Sequence, residues 1–258
     1  MIKLENYEAV GWEHAIRGAR NPLNSWSRSD SLFFDDSEGH LCKVGQGRGP
    51  LDLMEIGPND HDLMMRLRNA GTDHRKFMRM ITVYVDIMAP LYWWKEFDTY
   101  KVGTVANSCS TMHKIHAKEF TLMDFSDDKL YTYASQVVLM ETIATLNELR
   151  DVYLRGGSMD KDRHLYSVDC MDILGIPADE LTPIEPKDKD IWYEMIQLLP
   201  SSYNQLRTVM LNYEVLANIY KSRKNHRLDE WKELCKWIET LPYSELITGG
   251  TDSNGGES

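Results

Sequence analysis

The sequence predicts a mixed α/β fold, and three features carry that reading. A dense β-branched and apolar run from Ile81 to Ile87 has the composition of a strand buried on at least one face. Apolar residues at helical spacing lie on both sides of it, at Leu63, Met64, Leu67 and Ala70 and again at Trp93, Trp94 and Phe97. A second apolar run, Val209 to Tyr220, reads as strand passing into helix.

Taken in order, Met1 to about Pro58 reads as irregular. Ser25 to Ser31 is polar, and Gly45-Gln-Gly-Arg-Gly-Pro50 forms a turn-rich cluster without the pattern of a phosphate loop. Asn59 or Asp60 can cap the first helix, which Gly71 stops. Ala89-Pro90 is expected to break the strand, with Pro90 in the first turn of the following helix. Trp93 and Trp94 on that helix read as core. A long helix is expected over Lys129 to Arg155, with apolar residues at Val137, Val138, Met140, Ile143, Leu146 and Leu149. The Pro-punctuated stretch 176–186 reads as a linker. Helices follow at Ile191 to Leu199 and Leu228 to Thr240, and the Gly/Ser-rich 248–258 reads as a disordered tail.

A formal net charge of −11 argues against a protein whose main task is to grip nucleic acid. No apolar run approaches the roughly 20 residues that span a bilayer, so no membrane partner is expected. Cys42, Cys109, Cys170 and Cys235 are isolated, without zinc-ligand spacing, and no metal site is expected. Isolated cysteines and a start unlike a signal peptide lead to the expectation of reduced thiols and a cytoplasmic chain.

One stretch is more specific. After the strand comes Ala89-Pro-Leu-Tyr-Trp-Trp-Lys-Glu-Phe-Asp-Thr-Tyr-Lys-Val-Gly-Thr-Val-Ala-Asn-Ser-Cys-Ser-Thr-Met112. It resembles the signature of the flavin-dependent thymidylate synthases, in which a helix ends in Arg-His-Arg and a Ser within Asn-Glu-x-Ser-x-Arg follows. Thr99-Tyr100-Lys101 stands in place of the triplet, Asn107 at the asparagine position and Ser110 at the serine. The lead-in Ala70-Gly-Thr-Asp-His-Arg-Lys-Phe77 is similar to that family's Gly-His-x-Ser-Pro-x-Glu-His. Leu199-Pro200, then Asn212, Asn218 and Arg223, are similar to its second flavin- and nucleotide-binding segment. The collinear resemblance covers roughly residues 60 to 240, with an unmatched insertion-like region near 156–186.

The resemblance implies a single domain over 1–247, with a central, mostly antiparallel sheet flanked by helices. It implies FAD as cofactor, with NADPH and methylenetetrahydrofolate as cosubstrates. The reaction would be reductive methyl transfer to a deoxyuridine nucleotide such as dUMP, in a homotetramer whose sites lie between subunits. Asn107, Asn212, Asn218 and Thr99 are then the flavin-binding candidates. Lys101, Ser110 and Arg223 are the nucleotide candidates; Tyr100, at the histidine position near the flavin, and Ser110 are the catalytic candidates. Their chemistry suits these roles: amides pair as donor and acceptor, and a guanidinium forks onto phosphate. The sequence also departs from the pattern. Thr99, Lys101, Met112, Ile196 and Glu214 replace arginines, which should loosen the grip on a nucleotide dianion while leaving the asparagines for flavin. The alternative is a non-catalytic nucleotide- or flavin-binding oligomer that kept the fold.

Overall fold

The computed structural model describes residues 2–35, 39–46, 51–156 and 188–249. The chain divides into two compact units, Met1–Ser108 with Gln205–Ser258, and Cys109–Asn204. The first runs β1 (Lys3–Val10), α1 (Trp12–Arg20), β2 (Leu32–Asp35), β3 (His40–Cys42), β4 (Leu51–Glu55), α2 (Pro58–Asn69), β5 (Thr82–Pro90), α3 (Leu91–Phe97) and β6 (Val105–Ser108). The second holds α4 (Thr111–Lys114), α5 (Tyr133–Leu154) and α6 (Asp188–Leu198). The chain then returns to the first as β7 (Asn204–Asn212), α7 (Tyr213–Arg223), α8 (Asp229–Glu239) and α9 (Glu245–Thr248).

In the first unit a four-stranded sheet has the order β1-β5-β7-β6, and a smaller sheet the order β3-β2-β4. The registers of β1 with β5, β6 with β7, and β2 with β3 and β4 are all antiparallel. The mixed α/β reading, with antiparallel sheets and flanking helices, therefore holds. On β5 the buried residues alternate as Val83, Val85, Ile87 and Ala89, the period of a strand with one face in the core. Trp12, Ile16, Trp93, Trp94, Tyr213, Leu216, Trp231 and Ile238 join them in one apolar cluster. Each such side chain contributes about 1.5–3 kcal/mol by leaving water.

The irregular reading of residues 1–58 is corrected: β1, α1 and the smaller sheet occupy much of it. β1 escaped notice because all but two of its side chains are exposed, so it carries no alternating apolar signal. α1 was legible, since Trp12, Ala15, Ile16 and Ala19 follow helical spacing and are buried. Gly11 precedes it at φ 88°, where a Cβ would lie 2.1 Å from the Met80 carbonyl oxygen. Only glycine fits there.

The cap expected from Asn59 or Asp60 is also corrected. Asp30 accepts hydrogen bonds from the Asn59 and Asp60 amides at 3.0 and 3.1 Å, satisfying the first turn of α2 from outside. Asp60 is instead buried, and takes hydrogen bonds from Arg20 Nε, Ser29 Oγ and Ser31 Oγ at 2.5, 2.7 and 2.6 Å. The polar stretch Ser25 to Ser31 thus supplies partners for a buried carboxylate. Ala89 and Pro90 end β5 rather than break it, and Pro90 is the N-cap of α3 with extended backbone. A terminal strand position suits a residue lacking an N–H.

In the second unit, Leu139, Ile143, Leu146, Leu149 and Val152 of α5 pack with Ile115, Phe120, Phe125, Ile191 and Met195. Val138 and Met140, expected on the apolar face, are exposed, because α5 carries more apolar residues than one face can bury. The linker at 176–186, the insertion beyond residue 156, the end of the Gly45–Pro50 loop and the tail from residue 250 lie outside the described residues. Thr248, placed in the tail by sequence, closes α9. No described helix is long and apolar enough to cross a membrane.

Candidate functional site

The signature stretch begins where α3 ends. Trp93, Trp94 and Phe97 bury one side of this short helix and fix its axis, as the core reading expected. Trp94 Nε1 donates to the Gln205 carbonyl at 2.9 Å, tying α3 to β7. The helix then unwinds through Thr99 and Tyr100, whose amides donate to the Glu96 and Phe97 carbonyls. Gly103 follows at φ 77°, and a Cβ on it would sit 2.9 Å from Asn212 Nδ2. Glycine lets this turn lie against the start of α7 before the chain enters β6.

A cavity of about 330 Å³ opens at this turn, lined by Phe97, Asp98, Tyr100, Lys101, Thr104, Ala106 and Arg207. Two of its walls, Tyr100 and Lys101, are sequence-predicted site residues. Arg207 was not predicted. It donates from Nη1 to Asp98 at 2.8 Å and from Nε to Gln205 at 3.0 Å, and its guanidinium lies 4.2 Å over the Trp94 ring. The signal was present: Arg207 shares the strand face of buried Gln205, Val209 and Leu211, where a cation needs a reason. Thr104, also missed, lines the cavity with a buried Oγ1 that has no hydrogen-bond partner among the described residues.

The other predicted residues separate by what already holds them. Thr99 Oγ1 donates to the Glu96 carbonyl at 2.7 Å, closing the helix end. Asn107 is exposed on β6, opposite Thr208 of β7. Asn218 is exposed and accepts from Arg75 Nη2 at 3.2 Å. Asn212 is the N-cap of α7, its Oδ1 accepting from the Val215 amide at 3.0 Å, so its carbonyl serves the helix. Ser110 belongs to the second unit and caps α4, accepting from the His113 amide at 2.9 Å.

Arg223 departs furthest from expectation. Its Nη1 pairs with Glu96 at 2.9 Å and its Nε donates to the Tyr100 hydroxyl at 2.9 Å. Its guanidinium lies 4.5 Å over the Trp231 ring. Glu96 also accepts from Trp231 Nε1 at 2.9 Å. The fork read as a phosphate clamp is thus occupied by a carboxylate, a phenol and an aromatic face. Sequence could not show this, because Glu96 lies 127 residues away from Arg223.

Glu214, where the resemblance has arginine, is buried and pairs with Arg79 and, at 3.6 Å, with Arg75. Both cations come from the lead-in segment. On β5 the half-buried Asp86 accepts from Thr208 at 2.6 Å and from Asn6 at 3.0 Å, and these bonds hold its carboxyl below its ordinary range.

No protein-family profile and no curated protein matches the sequence. Solved structures do. A flavin-dependent thymidylate synthase from Helicobacter pylori, complexed with FAD and dUMP, superposes with a TM-score of 0.53 at 14% identity, covering 96% of this chain and 98% of its own. A second structure of that enzyme with FAD and dUMP gives 0.55 at 14% identity, over 96% and 97%. The chain has the fold of the flavin-dependent thymidylate synthases. A UMP/dUMP methylase from Streptomyces cacaoi, bound with 5-bromo-dUMP, lies further off, with a TM-score of 0.49 at 12% identity over 96% and 94%. At these identities the thymidylate-synthase likeness is one of fold. The side chains must carry the rest.

The side chains fit a flavin only in part. Asn107 and Asn218 offer exposed amide groups, and Lys101 and Tyr100 border the cavity. Asn212, Arg223 and Glu214 are engaged within the chain.

Proposed function

We propose that this chain is a divergent flavin-dependent thymidylate-synthase-like enzyme that binds FAD and a pyrimidine nucleotide such as dUMP. The observation that carries the reading is the cavity beside Tyr100 and Lys101, at the signature position, within a fold whose solved examples hold FAD and dUMP. When bound, a flavin supplies hydride transfer, with the protein contributing position and charge. In this reading Asn107, Asn218, Asn212 and Thr99 contact the flavin. Lys101 neutralises the nucleotide phosphate, and Tyr100 borders the reacting ring. NADPH and methylenetetrahydrofolate are the cosubstrates, and the working form is a cytoplasmic homotetramer. Arg223 serves the site indirectly, by holding Tyr100.

The test is spectroscopic. The purified chain should be yellow or take up added FAD, and dUMP should perturb the flavin band. Asn107→Ala should weaken FAD uptake, and Lys101→Met should weaken dUMP. A colourless chain that ignores added FAD overturns the reading.

A second reading, a non-catalytic oligomer on the same fold, is favoured by Asn212, Arg223 and Glu214, all satisfied within the chain. It predicts nucleotide or flavin binding without turnover.

A further inference from the structure

Between α1 and β2 the chain crosses the surface in two short 3-10 turns, Asn21–Leu23 and Trp26–Arg28. Leu23 is 79% exposed and Trp26 44%. Single exposed apolar side chains are ordinary, but these two share one loop whose backbone is fixed. The buried Arg20, anchored by Asp60, donates from Nη1 to the Ser25 carbonyl at 3.2 Å and from Nη2 to the Arg28 carbonyl at 3.1 Å. The amides of Asn24, Ser25 and Ser29 donate to the carbonyls of Asn21, Arg20 and Trp26 at 3.1, 3.2 and 3.0 Å. Trp26 Nε1 donates to Asn21 Oδ1 at 2.8 Å, which orients the indole. The loop is also locally basic. From His14 to Ser29 there are three arginines and no acid, in a chain of net charge −11. Asp60 neutralises Arg20, whereas Arg17 and Arg28 are exposed and have no ion-pair partner among the described residues.

We propose that this loop docks a partner protein, placing Trp26 and Leu23 in an apolar cleft whose rim carries carboxylates facing Arg28. Tryptophan and arginine are the residues that most often dominate protein interfaces, and a loop already held in one conformation presents them without an ordering cost. Charge decides the class of partner. An anionic bilayer is a broad plane that meets the acidic chain as well as the loop, and a few surface cations weigh little against that. A second copy brings the same acidic surface and the same repulsion. A different protein can match the loop alone, with acidic groups against its arginines. The proposal is independent of flavin and nucleotide binding.

The experiment selects a random peptide library displayed on phage against the immobilised full chain, then titrates the synthetic consensus peptide by fluorescence anisotropy. The consensus is expected to combine apolar residues with Asp or Glu. Trp26→Ser should weaken its binding about thirtyfold or more, the loss typical of a buried tryptophan at an interface. Leu23→Ser should weaken it severalfold, and so should Arg28→Glu, the latter by less as salt is raised. All three side chains are exposed, so the variants should melt with the wild type, which separates lost binding from lost folding. A consensus without acids, or wild-type affinity in both Trp26→Ser and Leu23→Ser, overturns the proposal. Two further measurements test the other occupants. Pelleting with vesicles of equal parts phosphatidylcholine and phosphatidylglycerol, lost in Trp26→Ser, would assign the loop to a lipid surface. A change of oligomeric state in Leu23→Ser by sedimentation velocity would assign it to a second copy. Either result overturns the proposal.

Discussion

Replacing Asp60 by Asn should cost the first unit a large share of its stability. The carboxylate is fully buried and faces Arg20, whose side chain is 4% exposed. Oδ2 accepts from Ser29 Oγ, Ser31 Oγ and the amides of Asp30 and Ser31, at 2.7, 2.6, 3.1 and 3.1 Å. Oδ1 accepts from Arg20 Nε. An asparagine can keep its oxygen toward the four donors only by turning its NH2 toward Arg20, donor against donor. Arg20 then retains only the Ser25 and Arg28 carbonyls, at 3.2 and 3.1 Å, and no counter-charge. Breaking such a buried pair from one side costs about 3–5 kcal/mol, a large part of the roughly 5–15 kcal/mol that holds a domain folded. At about 2–4 °C per kcal/mol, the melting temperature should fall by about 6–20 °C.

Urea unfolding followed by tryptophan fluorescence suits this measurement, since every tryptophan except Trp192 lies in the first unit. The double variant Arg20→Met with Asp60→Asn should lose less than the sum of its single changes, because it removes the unpaired cation. The pH dependence has a definite sign. Burial pushes the Asp60 carboxyl up, but hydrogen bonds from Ser31, Ser29 and Arg20, with the Arg20 charge, more than reverse that and hold it below the usual range. A depressed carboxyl contributes stability above its unfolded value of about 3.9, and the contribution fades as pH falls through the lower folded value. The wild type should therefore shed this contribution below about pH 4, and Asp60→Asn should not. A loss under about 1 kcal/mol at neutral pH, or strict additivity in the double variant, would refute the account.

Three further outcomes are expected. Asn212→Ala should cost about 1 kcal/mol, as loss of an N-cap does, while Asn212→Asp keeps the cap and should melt near the wild type; equal losses would remove the capping role. Glu214→Arg, which restores the charge that the resemblance leads one to expect, should destabilise by about 3 kcal/mol or more by setting a third guanidinium beside Arg75 and Arg79. A variant that melts like the wild type would show that the cluster is inconsequential. Gly11→Ala should cost at least about 3 kcal/mol or prevent soluble expression, since its backbone conformation and the Met80 carbonyl both exclude a Cβ; circular dichroism of the purified variant decides this.

Much of the fold could be read in the sequence wherever a local pattern encodes it. The alternation of Val83, Val85 and Ile87 marks β5, and the passage from Val209 to Tyr220 marks the β7–α7 junction at Asn212. β1 could not be read, because an exposed edge strand needs only partners and no apolar code. The signature position led to the Tyr100–Lys101 turn, where the cavity lies. The commitments of the side chains stayed hidden, because each is made over a long sequence distance. Glu96 meets Arg223, and Arg79 meets Glu214, through tertiary folding alone. Residue type announced an available cation at 223, while packing had already assigned it.

Arg207 joins the cavity to an aromatic ring. Its guanidinium lies 4.2 Å over the ring of Trp94, within a cluster that includes Trp93, Phe97 and Trp231, and Arg207 forms part of the cavity wall. Whatever enters and displaces Arg207 must therefore change the electrostatic field over a buried indole. The chain consequently carries its own optical reporter: occupancy can be followed as a shift or quench of tryptophan emission, without dye, label or coloured ligand.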